Sequence, residues 1–217
     1  MQYNLTLNLE PDATFNNFFC ASHYEKALLD KVMHRHTPIL LIGEQGSGKT
    51  HLLQAACHHK ANQWLYLDGK KVDSISPSLL ENLQGQLICL DNLEYICQQK
   101  AWQDVLFKLV LDNQNSLLFS ASSAFVISER KDLQSRIQAM LTLKLPGLDE
   151  KNQAKAILHK SKRKGFPLEI HLIQWLQKQL PRDNGSLFSF INHLETESSR
   201  QKKKPSIHLA KTLLSNP

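Results

Sequence analysis

The segment "GEQGSGKT", residues 43–50, has the residue types and spacing of a loop that binds phosphate. Its fixed positions, Gly43, Gly48, Lys49 and Thr50, match the pattern G-x-x-x-x-G-K-[ST]. Glycines allow backbone N–H groups to converge on phosphate oxygens, and the following helix adds its positive N-terminal end. The lysine can reach the β- and γ-phosphates, and the threonine hydroxyl can ligate Mg²⁺. The predicted ligand is therefore ADP or ATP, with Mg²⁺.

A second chemical signal lies about forty residues further on, in "LICLDNLEYI". Asp91 ends an apolar run there, which is where phosphate-loop proteins place the acid that orients Mg²⁺ and its water. The alternative is an aspartate that caps a turn. The next residue is Asn92, whose amide can orient a water molecule but cannot accept its proton. The pair therefore favours nucleotide binding and leaves hydrolysis in question.

The elements that must position these residues follow an alternating pattern up to residue 146. Apolar strands alternate with helical periodicity, which predicts an α/β fold with a parallel sheet flanked by helices. The strands are predicted at 38–43, 64–69, 86–92, 116–122 and 141–148. The helices are predicted at 50–61, 76–84 and 101–114. Beyond this region the sequence shows helical patterns alone, at 149–165, 169–180, 185–201 and 208–215.

The resulting organisation is an N-terminal segment (1–12), a nucleotide-binding α/β domain (13–146) and a small all-helical domain (147–217). The formal net charge of +6 is compatible with acidic partners, nucleic acid included. The basic pieces "KSKRKG" and "RQKKK" lie at predicted helix ends, where positive charge suits the helix dipole. That interpretation is favoured over a dedicated nucleic-acid patch, and a weak DNA contact stays open.

Composition and the four cysteines favour a cytoplasmic, soluble protein. No apolar run approaches the roughly 18 residues that a membrane helix needs. The cysteines form no C-x-x-C pair, so buried free thiols are expected rather than zinc ligands or disulfides. The oligomeric state is left open, a homo-oligomer included.

Several segments together resemble the DnaA-related AAA+ ATPases and, within that family, the Hda-type regulators. The similarity covers nearly the whole chain, and the segments follow the order of the family: "ATFNNFF" (13–19), "GEQGSGKTHLLQAAC" (43–57), "CLDNLEYI" (89–96), "DLQSRI" (132–137) and "PGLDEKNQAKAILHKSKRKGFPL" (146–168). The resemblance implies a AAA+ domain followed by a helical lid. The DNA-reading domain of DnaA is not expected, because the lid runs to residue 217.

The resemblance also implies a set of nucleotide-binding residues: Gly43, Glu44, Gln45, Gly46, Ser47, Gly48, Lys49, Thr50, His51, Phe18, Asp91, Asn92 and Ser122. Thr50 and Asp91 would hold Mg²⁺ through the nucleotide. Ser122 is expected at sensor I, where the family usually has Asn, Asp or Thr. Gly185 takes the place of the sensor II arginine, with Arg182 as the nearest substitute. These departures predict weak or absent hydrolysis, with ADP as the resting ligand.

By the same resemblance, Arg136 is expected to be an arginine finger that acts in trans on ATP bound to DnaA. The alternative is a surface arginine paired with Asp132, four residues earlier on one helix. The segment "QYNLTL" resembles the peptide that docks on the β sliding clamp, with Gln2, Leu5 and Leu7 as its contacts. Its alternative is an edge strand. Two other functions remain: a nucleotide-bound adaptor without a finger, and a DNA-stimulated ATPase or loader.

Overall fold

The computed structural model describes residues 9–34, 37–60, 63–81, 83–112, 114–124, 130–181 and 183–215. These residues form two compact units. The first is an α/β unit that ends at residue 145, and the second comprises the residues from 146 onward together with 45–47 of the phosphate-binding loop. Within the described residues, no helix has both the length and the apolar character that crossing a membrane requires.

The first unit is built on a sheet of five parallel strands. They are Ile39–Gly43 (β1), Trp64–Asp68 (β2), Leu87–Asp91 (β3), Ser116–Ser122 (β4) and Leu141–Leu145 (β5), in the spatial order β2-β3-β4-β1-β5. This confirms the predicted parallel sheet. The register aligns Gly43 with Ser122 and Asp68 with Asp91. These four residues end their strands, so they lie together at the carboxyl ends of the parallel strands.

Helices cover both faces of this sheet. The described helices of the unit are His23–Met33 (α1), Lys49–His59 (α2), Leu93–Cys97 (α3), Lys100–Leu111 (α4) and Lys131–Gln138 (α5). Strand β3 shows the two faces: Leu90 packs in one core cluster with Trp102 of α4, and Cys89 packs in another with Leu53 of α2. Burial on both faces explains why this strand is apolar throughout, with no polar alternation.

Helices α1 and α3 have no counterpart among the predicted elements, and α5 was predicted only through the alternative that places Asp132 and Arg136 on one helix. Helix α1 begins with a capping box in which Ser22 and Glu25 satisfy each other's backbone N–H groups. The helix predicted at 76–84 is a single 3-10 turn, Pro77–Leu80. The Ser76 hydroxyl bonds the Ser78 hydroxyl there, so it does not cap the backbone.

The second unit is helical, as predicted, with its own core of buried leucine, isoleucine and alanine. Its described helices are Glu150–Arg163 (α6), Ile170–Gln179 (α7), Asn184–Gln201 (α8) and Ile207–Ser215 (α9). Asp149 caps α6 by accepting a hydrogen bond from the Asn152 N–H at 2.7 Å. Elsewhere in the chain, Cys57, Cys89 and Cys97 are buried and Cys20 is half-buried, and these four described cysteines form no disulfide.

Candidate nucleotide-binding site

The phosphate-binding loop connects β1 to α2, which is the strand–loop–helix context that its motif requires. Gly48 is the N-cap of α2 and has a φ of +98°, a left-handed conformation that glycine adopts without strain. A Cβ atom at this position would lie 2.7 Å from Cε2 of Phe18. Both the backbone angle and the close ring therefore require glycine here.

Lys49 is held by the loop itself. Its Nζ donates hydrogen bonds to the backbone oxygens of Gly43 and Glu44, each at 2.8 Å. Burial lowers the pKa of this ammonium group, while the carboxylates of Asp91 and Glu94 act in the opposite direction. A phosphate group in the loop would add negative charge beside a partly desolvated cation, which strengthens their attraction.

Asp91 is the most heavily bonded carboxylate of the site and is 1 % exposed. Its Oδ2 accepts hydrogen bonds from the Thr50 hydroxyl at 2.7 Å and the Tyr66 hydroxyl at 2.9 Å. Its Oδ1 accepts from the Ser120 hydroxyl and, at 3.1 Å, from the backbone N–H of Asn92. Four donors compensate a buried negative charge, which would otherwise be costly. The turn-capping alternative for Asp91 accounts for the Asn92 bond alone.

Tyr66 and Ser120 are two members of this network that the sequence motifs do not indicate. Tyr66 lies on β2 opposite Cys89 of β3, and Ser120 lies on β4, so each reaches Asp91 from a neighbouring strand. Burial, followed by the negative charge of Asp91, raises the pKa of Tyr66, so the phenol stays protonated and remains a donor. A polar residue inside an otherwise apolar strand was the available sequence signal for both.

Asn92 has a positive φ of 54°, in the left-handed region. Its Nδ2 donates a hydrogen bond to Oδ1 of Asp68 at the end of β2, at 2.8 Å. The amide therefore ties the ends of two strands together. This contact gives Asn92 a structural explanation that does not involve a water molecule.

Ser122, the predicted sensor I, ends β4 beside Gly43 of the loop. Its backbone N–H donates to a carboxylate oxygen of Glu94 at 3.4 Å. Glu94 lies in the first turn of α3, three residues after Asp91, and its charge acts on Lys49. The structure thus places a second acid near the loop, two residues beyond Asn92.

Phe18 and His51 stand side by side next to the loop, with ring centroids 5.6 Å apart. The His51 Nε2 lies 2.8 Å from the backbone oxygen of Thr14. This contact ties the N-terminal segment 13–19 to the first turn of α2. The two predicted contact residues are therefore brought together with Gly48.

Arg136 lies on α5 with an exposed side chain. The carboxylate of Asp132 binds Nε of Arg130 at 2.8 Å, and Arg130 also pairs with Asp104 and covers the ring of Phe107. The Arg130 guanidinium lowers the pKa of Asp132. In the described part of the chain, Arg136 forms no salt bridge. The alternative pair of Arg136 with Asp132 is not formed.

Some predicted residues lie outside the described part of the chain, namely Gln2, Leu5, Leu7 and Arg182. Gly185, which the resemblance predicts at the sensor II position, is buried in the first turn of α8. That helix is capped by Asp183, whose carboxylate accepts a hydrogen bond from the Ser186 N–H at 2.7 Å.

The residues of the loop fit a magnesium nucleotide. Gly46 and Gly48 have the positive φ angles that a phosphate cradle uses, and the buried Ser47 hydroxyl lacks a hydrogen-bond partner among the described residues. The Thr50 oxygen retains lone pairs for a cation while its proton is donated to Asp91. Asp91 would then act on the cation through Thr50 and water, because the described donors occupy both its oxygens.

Known proteins share both parts of this architecture. Residues 149–214 match the family model described as "Hda, lid domain", and residues 26–119 match that of the sigma-54 interaction domain. Domain III of the Thermotoga maritima replication initiation protein DnaA superposes with a TM-score of 0.75 at 21 % identity, covering 96 % of this chain and 98 % of that chain.

Two further solved structures show the same fold. AMPPCP-bound DnaA from Aquifex aeolicus has a TM-score of 0.64 at 20 % identity, covering 91 % of this chain and 70 % of that chain. The Aeropyrum pernix ORC1 protein in complex with DNA has a TM-score of 0.67 at 16 % identity, covering 95 % and 68 %. At these identities the likeness establishes the fold.

The chain therefore has the fold of these solved structures, with a phosphate-binding loop on a five-stranded parallel sheet and a helical unit after it. Within the helical unit, residues 149–214 carry the match to the Hda lid domain.

Proposed function

We propose that this protein is an Hda-like cytoplasmic regulator of replication initiation, which stimulates hydrolysis of the ATP bound to DnaA. The observation that carries the proposal is the match of residues 149–214 to the Hda lid. In this scheme the chain binds nucleotide, docks on the β sliding clamp and supplies Arg136 to its partner. The scheme makes DnaA and the clamp its two protein partners.

Arg136 suits the finger role because its charge is available. The nearest acid on its helix, Asp132, is bound by Arg130, and the Arg136 side chain is exposed. An arginine finger stabilises charge on the transferring phosphoryl group, and such fingers accelerate hydrolysis by about 10³ to 10⁵. A guanidinium that already had a carboxylate partner would lose much of that effect.

The chain's own nucleotide would be held by the loop residues 43–51, with Thr50 and Asp91 on the Mg²⁺ side. A bound diphosphate supplies negative charge that the loop N–H groups and Lys49 can neutralise. We propose ADP as the resting ligand and weak hydrolysis, because Asn92 bonds Asp68 and Gly185 offers no cation.

The clamp contact remains a proposal from the sequence, with Gln2, Leu5 and Leu7 as its residues. Peptides of this kind bind a groove through a polar rim contact and apolar anchors. A pull-down with the β clamp, using the full chain and a Gln2→Ala/Leu5→Ala/Leu7→Ala variant, tests it. Equal capture of both proteins would remove the clamp from the scheme.

Replacement of Arg136 tests the finger. Arg136→Ala should abolish stimulation of DnaA ATP hydrolysis while nucleotide and clamp binding stay unchanged. Arg136→Lys should restore little, because lysine lacks the planar fork of donors. Lys131→Ala, an exposed basic residue at the start of the same helix, is the matched control. Full stimulation by Arg136→Ala would leave an adaptor without a finger as the function.

One observation favours a second function, ATP hydrolysis by this chain itself. Glu94 lies within hydrogen-bond distance of the Ser122 N–H, and its charge acts on Lys49. A carboxylate in this place could orient an attacking water in the absence of an acid at residue 92. A DNA-stimulated ATPase or loader would show steady-state phosphate release that Glu94→Gln removes.

A further inference from the structure

The charge of this chain is distributed unevenly between its two parts. Residues 146–217 contain thirteen Lys and Arg against six Asp and Glu, whereas residues 1–145 contain thirteen against fourteen. The whole positive excess therefore belongs to the lid. A uniform basic surface would not produce this division.

Within the lid, α6 and α8 run parallel, and their contacting residues keep a nearly constant separation along the chain. Three hydrogen bonds join them: Gln153 to Asn184 at 2.9 Å, Lys160 to Asn192 at 3.3 Å and Lys164 to Glu195 at 3.1 Å. The separation along the chain is 31, 32 and 31 residues in these pairs. Both helices consequently end at the same end of the lid, and α8 continues about 9 Å beyond Glu195 at 1.5 Å per residue.

This parallel packing brings two separate basic stretches together. Lys162 and Arg163 end α6, and Lys202, Lys203 and Lys204 follow α8. All five side chains are exposed. We call these five residues the basic end of the lid.

The acids nearby are already paired. Glu195 binds Lys164, Glu197 binds Arg200 at 2.8 Å, and Glu169 lies 3.0 Å from His171. Within the described residues, the five cations of the basic end form no salt bridge. The two helix C-termini contribute about −0.5 charge each, so the dipoles offset roughly one charge of five. The surplus explains why helix capping alone does not account for the patch.

We propose that the basic end of the lid binds the phosphate backbone of double-stranded DNA without sequence preference. Duplex DNA carries one negative charge for about every 1.7 Å of its axis. The five cations of the basic end, spread over the ends of two helices, can therefore contact several phosphates. Single strands are held by exposed aromatic rings. The described aromatic rings of the lid, Phe166, Trp175, Phe188 and Phe190, are all half-buried, which leaves backbone contact as the mode.

A membrane surface is another possible partner for a basic patch, but the basic end of the lid lacks the apolar face that membrane binding requires. Helices that insert at a membrane interface present a broad apolar face beside their basic residues. Among the described lid residues, Ile170 is the large hydrophobic side chain that is exposed. One isoleucine offers little apolar area, so the observations favour DNA.

The test is a binding titration of the full-length protein with a fluorescent 30-base-pair duplex of mixed sequence, followed by anisotropy at 50 and 200 mM salt. The test protein is Lys202→Ala/Lys203→Ala/Lys204→Ala. The matched control is Lys31→Ala/Lys100→Ala/Lys108→Ala, which removes three exposed lysines of the α/β unit and the same net charge. Circular dichroism verifies that each variant is folded.

We expect the wild-type protein and the control to bind alike, and the test variant to bind at least about tenfold more weakly. Each lost phosphate contact should reduce the slope of log K against log salt by about 0.9. Equal weakening by both variants would overturn the proposal, as would absence of duplex binding at 50 mM salt. Tighter binding to phosphatidylserine vesicles than to the duplex would assign the patch to a membrane and overturn it too.

Discussion

The hydroxyl of Tyr66 and the hydroxyl of Thr50 donate hydrogen bonds to the same oxygen of Asp91, Oδ2, at 2.9 and 2.7 Å. One donor comes from a neighbouring strand and the other from the helix after the phosphate-binding loop. The loop and the sheet therefore share one buried carboxylate. A substitution of Tyr66 should therefore change both the free energy of unfolding and the affinity of the phosphate-binding loop for nucleotide.

The pH dependence of folding should report the Tyr66 contact. Burial raises its pKa above the value of about 10 for an unfolded chain. Below pH 10 both states hold the proton, and the contribution to stability is complete. Above pH 10 the unfolded chain loses the proton first, so the free energy of unfolding should fall by about 1.4 kcal/mol per pH unit from this group.

Tyr66→Phe should remove that part of the pH dependence, as measured by urea unfolding at pH 9 and pH 11. Tyr95→Phe, which changes a tyrosine that is 43 % exposed, is the control. An equal fall in stability for wild type and Tyr66→Phe would show that Tyr66 does not couple to Asp91.

The two serines of β4 should differ in their effect on stability. Ser120 is fully buried and donates to Asp91, whereas Ser122 contributes its backbone N–H to Glu94. Ser120→Ala should lower the free energy of unfolding by about 1.5–3 kcal/mol, the usual cost of a lost hydrogen bond to a charged group. Ser122→Ala should change it by less than about 0.5 kcal/mol. Chemical denaturation of both variants measures these losses. A larger loss for Ser122→Ala than for Ser120→Ala would contradict the hydrogen-bond network at Asp91.

Gly48→Ala should damage the nucleotide site beyond its cost in backbone strain. The left-handed angle costs about 1–2 kcal/mol for a non-glycine residue. The added Cβ would also lie 2.7 Å from the Phe18 ring, so the loop must shift. Gly85→Ala provides the control, because Gly85 has a φ of +67° but a Cβ added there would meet no atom within 4 Å.

Calorimetric titration with ADP should show at least a tenfold weaker affinity for Gly48→Ala and an unchanged one for Gly85→Ala. Both variants should lose comparable stability from the backbone term. Wild-type affinity in Gly48→Ala would mean that the contact of this glycine with Phe18 has no part in nucleotide binding.

Arg130 should protect the proposed finger by occupying Asp132. In Arg130→Ala, Asp132 becomes available to Arg136, four residues on, at a spacing that favours a helical ion pair. Stimulation of DnaA ATP hydrolysis should then fall, although Arg136 is intact. The double variant Arg130→Ala/Asp132→Ala should recover most of it, as a phosphate-release assay would show. A double variant no better than the single one would point instead to loss of the helix start.

Sequence patterns predicted the strands of the sheet well, because each strand is an apolar run that can be recognised in the sequence. The strand at 116–122 has the predicted bounds. Of the four residues expected on the apolar face of α4, Trp102, Leu106 and Leu109 are buried and Val110 is half-buried. Helices α1 and α3 have no counterpart among the predicted elements: α3 is only five residues long, and α1 buries only Leu28 and Val32 together with the charged Glu25. Periodicity carries little signal in such segments.

The sequence by itself determined the phosphate-binding loop, the strand-end acid Asp91 and the division into an α/β domain and a helical one. These features are local, since each depends on a run of neighbouring residues. The tertiary structure decided which side chains meet across the chain. It joined Tyr66, Ser120 and Thr50 at Asp91, assigned Asp132 to Arg130, and brought the ends of α6 and α8 together. Strand order, register and parallel helix packing set the contacts at Asp91 and between α6 and α8, and no local pattern encodes these because the partners lie 25 to 41 residues apart. Arg130 and Arg136 both lie close to Asp132 in the sequence, and the tertiary structure decided that Arg130 is the partner.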